Sequence, residues 1–212
     1  MNFKYFKIGT LIPFLIILAL LLQPISDWVV AWLNTIPQIS KVVPYVDSLS
    51  TLGMISIVLA IINFWGWKCI IFKWLIDVPN LNGRYVGKLS SSFQTNGQNT
   101  ERDCVLEIRQ TASGIHINAY TGDINTGVTS STSSTTSEQI IKQSSGFFEL
   151  FYIFSNTPNT TAVQLNNHDG TAHFIYYPDI KKLEGSYYNQ RKNDGTIIVT
   201  FDSEERIGRL KR

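Results

Sequence analysis

Two uncharged apolar runs near the N-terminus constrain this chain more than any other feature. Residues 8–22 read IGTLIPFLIILALLL and residues 49–67 read LSTLGMISIVLAIINFWGW. With its flanks, each is long enough to cross about 30 Å of hydrocarbon as a helix, which sets expected spans at residues 5–23 and 49–67. Trp28, Trp32, Trp65, Trp67 and Trp74 all lie in this half, mostly at the ends of the runs, where an amphipathic ring settles in a bilayer. A cleavable signal peptide competes for the first run, because Lys4 and Lys7 precede it. Residues 23–27 (QPISD) offer no small-x-small cleavage site. A buried core helix competes for the second, but no other helical segment is present to bury it.

Charge sharpens the division. Residues 1–79 carry Lys4, Lys7, Lys41, Lys68 and Lys73 against Asp27, Asp47 and Asp77, so the chain's net charge of +2 resides there. Residues 80–212 balance to zero. A neutral half lacks the basic face that duplex nucleic acid requires. Lysines flank the two runs on the outside and are sparse between them, which places both chain ends in the cytoplasm. The connecting stretch holds Pro24, Pro37 and Pro44 and is expected to lie on the outer membrane surface. Residues 69–76 are expected to continue the second helix into the interface before Asp77-Val78-Pro79-Asn80 breaks it.

From Leu81 the periodicity changes to that of strands. Expected strands cover residues 83–93, 102–111, 114–121, 131–143, 147–156, 162–166, 171–177 and 182–191, with 196–201 as a ninth or as closure. Turn signals fall at Thr95-Asn96-Gly97, Ser113-Gly114, Ser145-Gly146, Asp169-Gly170 and Asn193-Asp194-Gly195. Cys104, Leu106 and Ile108 alternate with Asp103, Glu107 and Arg109. Short antiparallel strands at this spacing fit a closed up-and-down barrel or a sandwich. An eight-stranded barrel has room for one small ligand. Leu81-Asn82-Gly83-Arg84-Tyr85 is echoed by Leu183-Glu184-Gly185-Ser186-Tyr187. Each Gly is expected to turn the chain into the barrel, and each Tyr to plug an end.

Catalytic signals are sparse. No phosphate loop, dinucleotide fingerprint or nucleophile elbow occurs. His168 and His173 flank an expected Gly turn without a ligand set, and Cys69 and Cys104 are too far apart in sequence for a zinc ribbon. Since Cys69 ends an apolar run and Cys104 lies in an expected strand, no disulfide is expected between them. The expectation is a binding protein, with no enzymatic role and no cofactor. Ten of the twelve residues 126–137 are Ser or Thr, which reads either as a solvated strand pair or as a hydroxyl-lined rim. Tyr85, Tyr152, Tyr187, Asn189 and Arg191 fall at positions that face a barrel interior by period. Tyrosine stacks on bases and arginine pairs with phosphate, although core packing explains the tyrosines equally well.

The order of these pieces resembles the two-transmembrane, β-strand-rich effectors of bacterial CBASS antiphage systems. The motifs are Leu81-x-Gly83-x-Tyr85-x-Gly87 with Ser90-Ser91-Ser92, Ile108-x-Gln110-Thr111, Leu150-x-Tyr152-x-Phe154-x-Asn156-x-Pro158, His168-x-Gly170-Thr171-Ala172, and Leu183-x-Gly185-x-Tyr187 with Arg191 and Gly195. The resemblance implies a membrane-anchored all-β protein, with a two-helix transmembrane hairpin (residues 1–79) and a cytoplasmic eight-stranded antiparallel barrel (residues 80–212). It implies that the barrel binds a cyclic dinucleotide made by a partner nucleotidyltransferase. It also implies self-assembly through the helices, disruption of the inner membrane and death of the infected cell. The ligand-binding set expected on this basis is Ser91, Arg109, Tyr152, Tyr187, Asn189 and Arg191. Arg191 is preferred to Arg109, which alternates with the apolar side chains of its strand. The competing function is a membrane-tethered, lipocalin-like carrier of lipid or another small molecule, whose cavity would be apolar and free of arginine.

Overall fold

A computed structural model describes residues 2–38, 43–95, 97–159 and 167–211. The chain divides into two compact units, Met1–Asp77 with Thr111–Ser113, and Val78–Gln110 with Gly114–Arg212.

The first unit contains two helices, α1 (Ile8–Asn34) and α2 (Val43–Phe64). Only Leu11 and Ser26 of α1 are buried, whereas Ile12, Ile16, Ile17, Leu20 and Leu21 are each more than half exposed. An apolar surface of that extent is out of place in water. Among the described residues α1 alone is long and apolar enough to cross a membrane, and it is a candidate anchor. The described apolar part of α2, Ser50–Phe64, is shorter, so the second expected span is not established.

Two expectations need correction here. Gln23-Pro24 does not end the first helix, which runs on to Asn34 with Pro13 and Pro24 inside it. Each proline removes one backbone hydrogen bond, and the helix on both sides carries the chain through. Residues 69–76 do not extend α2. The helix stops at Phe64 and gives way to two single 3₁₀ turns, Gly66–Lys68 and Ile70–Phe72, separated by the extended Cys69. The chain then pairs with its own start: Phe6 bridges Ile76, and the Lys7 N–H donates to the Leu75 carbonyl at 2.9 Å. Further along the pair, the Ser26 and Ser50 hydroxyls hydrogen-bond to each other, which satisfies two polar groups on otherwise apolar helices.

The second unit is a closed antiparallel barrel of eight strands in sequential order. They are β1 (Gly83–Thr95), β2 (Gln98–Thr111), β3 (Gly114–Asp123), β4 (Val128–Lys142), β5 (Phe148–Pro158), β6 (His168–Tyr177), β7 (Lys182–Asn189) and β8 (Asp194–Ser203). Pairing of β1 with β8 closes the sheet and leaves no edge. The strand expected at residues 162–166 lies outside the described residues. The segment offered as a ninth strand, 196–201, lies within β8. Asp169-Gly170 is not a turn but part of β6, so His168 and His173 sit on opposite faces of one strand.

Alternation sorts the side chains. Cys104, Leu106 and Ile108 are completely buried, with Arg109 exposed beside them. One end of the interior is filled. Tyr85 meets Phe201 edge-on at 5.6 Å, and Phe174, Leu150, Leu106 and Leu183 are likewise almost without exposure. Tyr85 is therefore a core residue. The glycine echo has a different cause from the one expected. β1 and β7 are not neighbours, and Gly185 lies in mid-strand, where a Cβ would collide with the backbone of His173. Only Gly83, at φ +132, is needed for its backbone conformation.

Candidate functional site

The other end of the barrel interior is open. A cavity of about 330 Å³ is lined there by the C-terminal halves of β1, β3, β5 and β7 and the N-terminal halves of β2, β4, β6 and β8. That volume is near the lower limit for small-molecule sites. Leu89, Ser91 and Phe93 contribute from β1, Cys104 and Ile197 from β2 and β8, and Tyr152, Phe154 and Asn156 from β5. Toward the mouth stand Arg102, His168, Asn189, Arg191 and Asn193.

Local irregularities aim several of these groups. The register between β1 and β2 shifts between Ser91 and Gln94, next to Phe93 at the rim. β4 and β5 shift between Thr135 and Ser137. On the other side of β4, the Thr135 hydroxyl donates to the Ile117 carbonyl of β3 at 3.0 Å and accepts from the Ile117 N–H at 3.1 Å, carrying the β3–β4 pairing past Asn118 and Ser134. The Ser/Thr tract therefore serves more than one purpose. Thr135 and Ser134 tie β4 to β3, at Ile117 and at His116 and Asn118, while Ser130, Ser131 and Ser133 line the cavity.

Across the interior the Tyr187 hydroxyl donates to Ser91 Oγ at 2.8 Å. Burial raises the Tyr187 phenol above its ordinary value, so it remains a neutral donor. Tyr152 is 4 % exposed and lies parallel to Phe174 at 6.0 Å, so one ring face is already covered. Burial also pushes the Tyr152 hydroxyl up, and the Cys104 thiol up to about 12. The cavity wall is thus uncharged, and the cations stand at the mouth.

Five of the six expected site residues, Ser91, Tyr152, Tyr187, Asn189 and Arg191, line this one cavity. Arg191 is in the turn after β7 rather than on the strand, and its N–H donates to Asn189 Oδ1 at 3.0 Å. Arg109 is not with them. It lies on the outer face of β2, beside a separate cleft with His116 and Arg206. Arg102, His168, Asn156 and Asn193 were missed. For Arg102 the signal was present, because it is two residues before Cys104 and so shares its inward face.

Residues 76–200 match the family described as Cap15, cyclic dinucleotide receptor domain. This chain belongs to that family. The CD-NTase-associated protein 15 of Yersinia aleksiciae is 31 % identical over 125 residues, which cover 58 % of this chain and 55 % of that protein. The chain thus spans about half the length of the curated relative it matches. The Cap15 match takes in β1 to β7 and most of β8, and with them every wall of the open cavity. It stops short of residues 204–211, which pack on the outside of the barrel. There Leu210 is fully buried against Val105 and Tyr120. The Arg84 guanidinium donates to the Arg209 and Leu210 carbonyls at 2.9 and 2.5 Å and to Glu107 at 2.8 Å. The Ile207 N–H also donates to Glu107, at 2.8 Å.

Proposed function

We propose that the open end of the barrel binds a cyclic dinucleotide, and that the chain is an antiphage effector held on the bacterial inner membrane by its N-terminal helices. The observation that carries this reading is the composition of the cavity. Two guanidinium side chains, Arg102 and Arg191, a histidine and three asparagines line a recess that also offers Phe93, Phe154 and Tyr187. Guanidinium groups pair with phosphate oxygens, aromatic faces take up bases, and asparagine amides read base edges. A fatty acid offers one carboxylate to an arginine, whereas a cyclic dinucleotide offers two phosphates, one for each guanidinium, and base edges for the asparagine amides. The cavity's small volume suits one base inside, with the phosphates held at the rim. The match to a receptor-domain family, rather than to an enzyme family, points the same way.

In this reading the ligand comes from a cognate nucleotidyltransferase. Both termini and the barrel are cytoplasmic, and α2 crosses the membrane beside α1. Occupied chains assemble through their helices and breach the bilayer. A ligand drives assembly only as far as it binds the assembled form more tightly. The test is calorimetric titration of the full chain, in detergent, with a panel of cyclic dinucleotides and with fatty acids. Uptake of at least one cyclic dinucleotide, together with growth of the particle on size exclusion, is expected. Uptake of fatty acid alone would replace the receptor with a carrier.

A further inference from the structure

The segment after α2 has properties that anchoring alone does not require. From Trp65 to Trp74 the chain makes two 3₁₀ turns, and four of its apolar side chains are exposed. Ile70 is 88 % exposed, Ile71 68 %, Trp65 66 % and Trp74 48 %. These are not loose ends. Trp67, Leu75 and Ile76 are fully buried beneath them, and the Phe6–Ile76 bridge and the Lys7 N–H, which donates to the Leu75 carbonyl at 2.9 Å, hold the segment to the start of α1. Four lysines surround it. Lys4 and Lys7 precede α1, and Lys68 and Lys73 lie within the segment, against the single acid Asp77, which is 3.5 Å from Lys7 Nζ.

We infer that this clamped segment is an interfacial collar that selects anionic phospholipid headgroups. The inference rests on the membrane reading of α1 and deepens it. Residues 8–26 carry no charge, and at 1.5 Å per residue they cover about 28 Å, the thickness of the hydrocarbon. Trp28 and Trp32, 69 % and 55 % exposed, follow at the far end of α1, so the chain carries an aromatic belt at each boundary. Four of the five lysines of residues 1–79 are at the near belt, and the fifth, Lys41, falls in sequence between the two apolar runs. Exposed Ile and Trp at headgroup depth bring the lysine ammonium groups level with lipid phosphates, and each lysine near an anionic surface contributes about fivefold in affinity. The occupant that fits both the apolar surface and the charge is the bilayer interface.

Cys69 provides the probe. It is exposed between Lys68 and Ile70, whereas the Cys104 thiol is buried, so a fluorophore maleimide labels position 69 selectively in the folded chain. The labelled full chain is reconstituted into phosphatidylcholine vesicles containing, at equal fraction, nitroxide-labelled phosphatidylglycerol or nitroxide-labelled phosphatidylcholine. The collar predicts at least threefold stronger quenching by the phosphatidylglycerol. That preference should vanish at about 0.5 M salt, where charges are screened within a few ångströms. It should also weaken in the K4Q/K68Q variant, which removes two of the four lysines and leaves the Lys7–Asp77 contact in place. Equal quenching by the two lipids overturns the collar and leaves the anchor standing. Failure of the chain to float with vesicles overturns both. Weak quenching by either lipid, with Cys69 cross-linking readily between chains, assigns the surface to a second copy and overturns the collar as well.

Discussion

At the scale of single residues, the cavity depends on space left empty by glycine. A Cβ on Gly195 would lie 2.7 Å from Cε1 of the Tyr187 ring and would strike the backbone carbonyl of Ser90. Gly195 thus sets where Tyr187 stands, and with it the 2.8 Å bond to Ser91. Gly195→Ala should cost about 1–3 kcal/mol of stability, the usual cost of an overpacked site. Urea denaturation reads that loss, and Tyr187→Phe separates it from loss of the hydroxyl alone. A Gly195→Ala protein as stable as wild type would show that Tyr187 is not so confined. The legibility of such residues in the sequence was uneven. Period-2 alternation sufficed to turn Tyr152, Tyr187 and Asn189 inward and to distrust Arg109. It equally implied Arg102, once Cys104 was taken as inward-facing. His168 and Asn193 were illegible because their positions depend on where β6 begins and β7 ends, and local sequence marks strand ends weakly.

At the scale of elements, residues 204–211 are tied to the outer wall by a buried ion pair. Arg84 and Glu107 have side chains 2 % and 4 % exposed, and both also bond to the backbone of this segment. Removing one partner breaks a buried pair but leaves Arg84 with Asp202 at 3.8 Å and two carbonyls, or Glu107 with the Ile207 and Gly208 N–H groups. Glu107→Ala or Arg84→Ala should therefore each cost about 3 kcal/mol, the lower end for such a pair, with the double variant less than additive. A urea midpoint close to wild type in either single variant would contradict this. Asp103, on the same face of β2, ties the barrel to the β3–β4 turn. The Ile124 N–H, at 2.7 Å, and then the Lys88 ammonium, at 2.6 Å, hold its carboxyl below the ordinary value. A depressed folded value means that the contribution is fully present above the unfolded value of about 3.9. It is lost as pH falls through the lower folded value. Stability should therefore decline below about pH 4, and Asp103→Asn should decline less steeply. Identical pH profiles would exclude the role. Residues 204–211 were not foreseen. Leu210 stands alone among charged residues, and nothing in local periodicity indicates that it is buried.

At the scale of the whole molecule, the division into an apolar N-terminal unit and a β unit was plain from charge and periodicity. So was a closed barrel as one of two all-β options, because strands of this length and spacing must bury one face and cover their edges. The helical unit was less legible. Pro24 looked like a stop and proved internal, since one lost hydrogen bond does not outweigh a continuing apolar helix. Orientation is the prediction at this scale. Alkaline phosphatase fused after Trp74 should be inactive, and fused within residues 37–44 active, if both chain ends are cytoplasmic. The reverse pattern would place the barrel where no cytoplasmic ligand reaches it.

The central claim is that the ligand sits in the open end of the barrel, held by the cations that line it. The most direct test is to titrate three full-length variants, Arg102→Ala, Arg191→Ala and Arg109→Ala, with the cyclic dinucleotide that wild type binds most tightly. Loss of a charge-assisted contact is worth about 1.5–3 kcal/mol, so Arg102→Ala and Arg191→Ala should each weaken Kd at least tenfold. Arg109→Ala, on the outer wall, should stay within about twofold of wild type. Binding that survives loss of both cavity arginines but falls with Arg109 would place the ligand outside the barrel and contradict the account.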